Sequence, residues 1–123
     1  MDKVQIQKTK NSPEIIMNFD TGELEILGES YPENAVAFYK PVFEWLNKAT
    51  AAKKTIKLTF KLDYFNTSSS KCVIDILDNL DKYFSNGGKA EVVWYYKKDD
   101  DDMMETGEEF SSDIKVPFKI ESY

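Results

Sequence analysis

Apolar and polar residues alternate along "EIIMNFDTGELEILG", with Ile15, Met17 and Phe19 before a "DTG" turn and Leu24 and Ile26 after it. A period of two is that of a half-buried strand, so the pattern predicts a β-hairpin with one buried face. From "ESYPENAVAFYKPVFEWLNKATAAKK" onward the period lengthens: Val36, Tyr39, Val42, Phe43 and Leu46 fall at three- and four-residue steps. That spacing predicts an amphipathic helix, entered at Pro32 and Asn34. Inside it, Pro41 removes a donor and its ring meets the carbonyl of Ala37. The stripe continues across the proline, so one kinked helix is expected rather than two.

"TIKLTFKLDY" returns to period two, placing Ile56, Leu58, Phe60, Leu62 and Tyr64 on one face and Lys57, Thr59, Lys61 and Asp63 on the other. It runs into the polar stretch "FNTSSSK", read as a loop. A second helical stripe follows through Cys72, Val73, Ile76, Leu77, Leu80, Tyr83 and Phe84, closed by "NGG". "AEVVWYYKK" is apolar on both faces, as in a central strand covered on both sides. "DDDDMMETGEEFSSD" reads as an acidic loop with a helical turn near Met104 to Phe110. "IKVPFKI" alternates again, and Pro117 assigns this last strand to an edge.

The predicted order is β-β-α-β-α-β-(α)-β, with a further short strand around Val4 to Gln7. The expected fold is α/β (α+β): a single mixed sheet with helices packed on it, including a right-handed βαβ unit. At 123 residues the chain is the size of one domain, 1–123, which buries roughly two thirds of its unfolded surface. Hydrophobic residues make up 41%, enough for an ordinary core.

Composition removes several chemistries. The only cysteine is Cys72 and there is no histidine, which excludes an internal disulfide, a Cys-His nucleophile pair and a Cys/His zinc site. Sixteen lysines stand against 22 acidic residues, for a net charge of −6, and arginine is absent. This balance argues against nucleic acid and anionic membranes and fits partners with basic patches. "MDKVQIQKTKNSPEI" lacks an apolar signal region, so a cytoplasmic location is expected.

The run of hydroxyls from Thr67 to Ser70, preceded by Asn66, exceeds what a helix start requires, since one side-chain oxygen serves only one or two of the first free amides. No Glu or Gln lies three residues after any of them, so a capping box does not account for the run. Free amides and the helix dipole favour an anion at such a position, with Lys71 one turn further in. The stretch lacks the glycines of a P-loop, and hydroxyls without glycine suit covalent phosphorylation better than a bound nucleotide. The alternative is a small anion- or ligand-binding domain, or a carboxylate-based enzyme, using residues 66–71.

"GESYPENAVAFYKPVFEWL", "YFNTSSSK", "VVWYYKKDDDDMMETGEEF" and "VPF" together resemble the SiaC family of bacterial regulatory phosphoproteins, from about Pro13 to Phe118. The resemblance implies a fold like the STAS domain of anti-anti-sigma factors and phosphorylation of the threonine in "FNTSSSK", which is Thr67. It also implies partner switching: a protein kinase related to anti-sigma-factor kinases adds the phosphate and a PP2C-type phosphatase removes it. The unphosphorylated form would bind and activate an effector such as a diguanylate cyclase, in cyclic di-GMP signalling. No catalytic residue, metal or cofactor is expected. Around Thr67, Asn66, Ser68, Ser69 and Ser70 are expected as polar partner contacts, Phe65 as an apolar one and Lys71 as a phosphate partner. Tyr31, Pro32, Glu33 and Asn34 of "ESYPEN" are expected on the same surface.

Other residues carry simpler readings. In EF-hand register from Asp99, position six would be Met104 and position twelve Phe110, so Asp99 to Asp102 read as a solvated acidic edge, open to docking, rather than a Ca²⁺ loop. Nothing in the spacing of Glu29, Glu33 and Asp63 makes them a catalytic pair. Cys72, Trp45 and Trp94 are expected in the core.

Overall fold

Three parallel crossovers that each advance by one strand dictate this architecture. The computed structural model describes residues 3–123, with β1 (Lys3–Ile6), β2 (Glu14–Asn18), β3 (Glu23–Ser30), α1 (Ala35–Ala51), β4 (Ile56–Phe65), α2 (Thr67–Ser85), β5 (Ala90–Tyr96), α3 (Asp101–Ser111) and β6 (Phe118–Ser122). The strands lie in the sheet in chain order. β1, β2 and β3 are antiparallel neighbours, while β3 to β6 run parallel. Crossovers of constant hand that all step in one direction put every helix on the same face.

That face holds the core. Leu24 and Ile26, Ile56, Leu58, Phe60 and Leu62, and Val92 and Trp94 point into it, against Tyr39, Val42 and Leu46 of α1, Val73, Ile76 and Leu80 of α2, and Met103 of α3. The predicted hairpin is present as β2 and β3. Its turn needs Gly22, with φ of +76°, where a Cβ would lie 2.0 Å from the Thr55 carbonyl oxygen. The short amino-terminal strand is present as β1, and β6 is the edge strand, entered directly after Pro117.

The pattern of β5 misleads in one respect. Among the described residues no helix covers its second face, because the strand order never reverses; Val93 is buried outside the main core, between Thr59 and Lys119 on the neighbouring strands. The open face is instead a lattice of opposite charges, such as Glu23, Lys57 and Glu91 on one rung.

α1 is one continuous helix through Pro41. Both Pro41 and Ala37, whose carbonyl loses its donor, are exposed, so that carbonyl is open to solvent rather than left unpaired in the core. Val36, expected in the stripe, is 76% exposed, and Ala35 takes the buried position. The acidic loop is largely helix: Asp100 accepts from the Met103 amide at 3.0 Å as N-cap, and Asp101 and Asp102 lie in the first turn of α3. Carboxylates there face the positive end of the helix dipole. Among the described residues, no helix is long and apolar enough to cross a membrane.

Candidate functional site

A bulge at the carboxyl ends of β3 and β4 builds the site. Gly28 pairs with Leu62, but Glu29 pairs with Tyr64 and Ser30 with Phe65, so Asp63 is an extra residue on β4. One inserted residue reverses the inward and outward phase of everything after it. Tyr64 is therefore not on the buried face, where alternation places it; it is 50% exposed, edge-on to Tyr31 with ring centroids 5.9 Å apart. Phe65 turns inward instead, against Trp94 and Phe110. Ser30 turns inward beside it and is fully buried.

The polar stretch is the first turn of α2 rather than a loop. Asn66 is the N-cap, its side-chain oxygen accepting from the Ser69 amide at 2.9 Å. One residue thus performs the capping, and the four hydroxyls divide by the rotation of the helix, about 100° per residue. Thr67 and Ser68 are exposed, Ser70 is half-buried and Ser69 is fully buried. Lys71 is exposed one turn beyond Thr67.

Ser69 corrects the expectation that it contacts partners. Its hydroxyl accepts from the Ser30 hydroxyl at 2.8 Å, and Ser30 shares a second bond of 2.6 Å with the Tyr39 hydroxyl. This buried chain joins β3, α1 and α2 beneath Thr67. Burial pushes the Tyr39 phenol up to about 12, with the Ser30 hydrogen bond acting in the opposite direction. The folded state therefore disfavours the phenolate, so the Tyr39 contribution to stability is whole below the ordinary value of 10.0 and is lost as pH climbs from there towards about 12. Tyr39→Phe is expected to lower stability by about 0.5–1.5 kcal/mol at neutral pH, as for one hydrogen bond. Urea midpoints measured from neutral to strongly alkaline pH should fall more steeply for the wild type than for this variant; parallel profiles would show that Tyr39 does not ionise against folding.

Phe65, Asn66, Thr67 and Ser70 line a shallow cleft of about 320 Å³ whose opposite wall is Thr106, Glu109 and Phe110 of α3. Nothing in the local pattern connects α3 to Thr67; the meeting depends on β5 carrying α3 back beside α2. The "ESYPEN" segment divides. The Asn66 amide donates to the Ser30 carbonyl at 3.0 Å, which brings the two segments together. Tyr31 is half-buried and donates its hydroxyl to the Lys10 carbonyl, and Glu33 is exposed. Pro32 is buried and is no surface contact. Asn34 caps α1 by accepting from the Ala37 amide at 3.1 Å. It lines a different groove, with Val36, Phe43, Cys72 and Asp75, on the opposite flank of α2 from Glu109.

Among the described residues, no group of three or more acidic or cysteine side chains is placed to hold a metal ion. Cys72 is buried, as its stripe position implied, and burial raises its thiol pKa. Asp63 does not meet Glu29 or Glu33 in the hydrogen-bond pattern; it pairs with Lys97 at 3.3 Å and accepts from the Tyr123 hydroxyl at 3.1 Å.

Comparison with known proteins agrees over almost the whole chain. The family model described as SiaC family regulatory phosphoprotein matches residues 6–123. An uncharacterised protein of Pseudomonas aeruginosa strain UCBPP-PA14 is 32% identical over 124 residues, covering 100% of this chain and 98% of that one. The crystal structure of apo-SiaC from Pseudomonas aeruginosa superposes with a TM-score of 0.91 at 34% identity, over 98% of this chain and 99% of that one. The crystal structure of the diguanylate cyclase SiaD in complex with its activator SiaC, from the same species, matches with a TM-score of 0.94 at 32% identity, over 98% and 99% of the two chains.

Proposed function

The chain belongs to the SiaC family of regulatory phosphoproteins, and from that premise we propose that it is a non-enzymatic switch controlled by phosphorylation of Thr67. In its unphosphorylated form it binds and activates a diguanylate cyclase; support comes from the related SiaC of Pseudomonas aeruginosa, the activator of SiaD. A kinase of the anti-sigma-factor-kinase-like type adds the phosphate, and a PP2C-type phosphatase removes it. The phosphorylated form releases the cyclase.

The observation that carries this reading is the placement of Thr67: exposed, first in α2, and not used as the cap. An enzyme can reach its hydroxyl without unfolding anything. α2 also has no acidic residue in its first turn, although the chain has 22 of them, so the positive end of its dipole is free to receive a phosphate. Phe65, Asn66, Ser68, Ser70 and Lys71 surround it as the partner surface, with Tyr31 and Glu33 beside it, whereas Asn34 faces the groove on the other flank of α2. A ligand pocket at residues 66–71 has less support, because the Asn66 and Ser69 side chains are already engaged within the fold.

Intact-mass measurement on protein isolated from its own host tests the reading. A species about 80 Da heavier, as for one phosphoryl group, is expected, with the modification mapping to the start of α2. It should disappear in Thr67→Ala while the fold and cyclase binding persist. Full phosphate incorporation on another residue of that variant would overturn the assignment.

A further inference from the structure

Resting on that reading, the cleft shows what a phosphate on Thr67 would face. On one side is the amino end of α2, whose free amides and dipole attract an anion. On the other is α3, with Glu109 lining the same cleft as Thr67. That helix carries Asp101, Asp102, Glu105, Glu108 and Glu109, and no basic residue in its last turn to offset them. Both helices cross between parallel strands and so run the same way, which sets the acidic side chain of Glu109, rather than the end of α3, beside the amino end of α2. A dianion between them is held by the amino end and repelled by Glu109.

We propose that the carboxyl end of α3, through Glu109, senses the Thr67 phosphate and swings away from α2 when it is present. The choice of moving element follows from burial. α2 is anchored by Cys72, Val73, Ile76, Leu77 and Leu80 in the core, whereas α3 buries only Met103 and Gly107, both in its first two turns. Its last turn is held by the half-buried Phe110 ring, which lies 6.2 Å from Phe65 and 5.7 Å from Trp94, centroid to centroid, and the chain is tied down again only beyond it, where Ile114 packs on the core and the Lys115 and Val116 amides donate to Asp81. Withdrawal of that turn uncovers Phe65 and Phe110 at the edge of the partner surface. The modified and unmodified proteins then differ in shape as well as charge, which gives kinase, phosphatase and effector two surfaces to discriminate.

Hydrogen exchange of the full chain, with phosphothreonine installed at position 67 during translation, tests this without any kinase. Amides of residues 106–111 should exchange about five-fold faster or more upon phosphorylation, the low end for coupled sites. Glu109→Gln, at an exposed position that leaves the fold intact, should bring that acceleration to within about two-fold, and high salt should shrink it in the wild type. Unchanged exchange upon phosphorylation, or equal acceleration in Glu109→Gln, overturns the proposal. Because the modification is installed directly, that failure leaves the function above standing; absence of phosphate at Thr67 in the host would overturn the function instead.

Discussion

Thr67→Glu should weaken binding to the proposed effector, a diguanylate cyclase, by about 30- to 100-fold, equivalent to about 2–3 kcal/mol, while the melting temperature stays within about 3 °C of the wild type. The two parts of this expectation arise from different surroundings of one atom. Within the free protein, a carboxylate at the first position of α2 meets the unopposed positive end of the helix and no acidic neighbour in that turn, which favours it by about 0.3–1 kcal/mol. Within a docked interface, the same charge is stripped of water with no partner chosen to meet it. A phosphate, with about −1.5 to −2 charges, should act more strongly than glutamate, and shifting a population from 1:99 to 99:1 requires about 5.5 kcal/mol. Calorimetric titration with the cyclase, together with thermal unfolding, measures both parts. Unfolding of the variant would mean that Thr67 is a structural residue. Full-strength binding would place it outside the interface.

Trp94→Ala should be the most damaging single substitution near the site, at about 3–5 kcal/mol, against a total stability of about 5–15 kcal/mol for a domain of this kind. Trp94 is 0% exposed and packs against Phe60, Phe65, Phe110 and Phe118, so it joins three strands to the helix that walls the cleft. Its indole N–H donates to the Met103 carbonyl at 3.0 Å. Gly107 lies so close that a Cβ would come within 2.6 Å of the Trp94 ring, which fixes α3 over the indole. Urea denaturation followed by circular dichroism gives the loss. Trp45 provides the contrast: it is 7% exposed and its indole nitrogen has no hydrogen-bond partner among the described residues, so Trp45→Phe removes an unsatisfied donor together with some packing. Trp45→Phe should therefore cost clearly less than Trp94→Phe, which leaves the buried Met103 carbonyl without its donor. Equal losses would show that the indole bond to Met103 contributes nothing.

Elements with a strong local period are legible in the chain. The β2–β3 hairpin, both long helices, β4, the edge position of β6 and the burial of Cys72 all follow from spacing, turn residues and proline chemistry, each decided within about one element. The excess of hydroxyls and the resemblance to a family single out the start of α2, where Thr67 stands exposed. The departures share a cause. Alternation sends Tyr64 inward because it cannot register a bulge, which exists only relative to the partner strand. Ser69 groups with Thr67 in sequence because four hydroxyls look alike until helix rotation turns one of them towards Ser30 and Tyr39. Val93 reads as helix-covered because the apolar run of β5 does not say on which side the crossovers pass.

Local order and chemistry are thus intrinsic to the chain: which segments are helices or strands, where they begin, and which hydroxyl stands first in α2. Position between segments is not, because it arises from strand register and crossover direction, which join residues far apart in sequence. The tertiary fold alone turned Ser69 inward, set Phe65 against Trp94, and brought Glu109 across the cleft from Thr67.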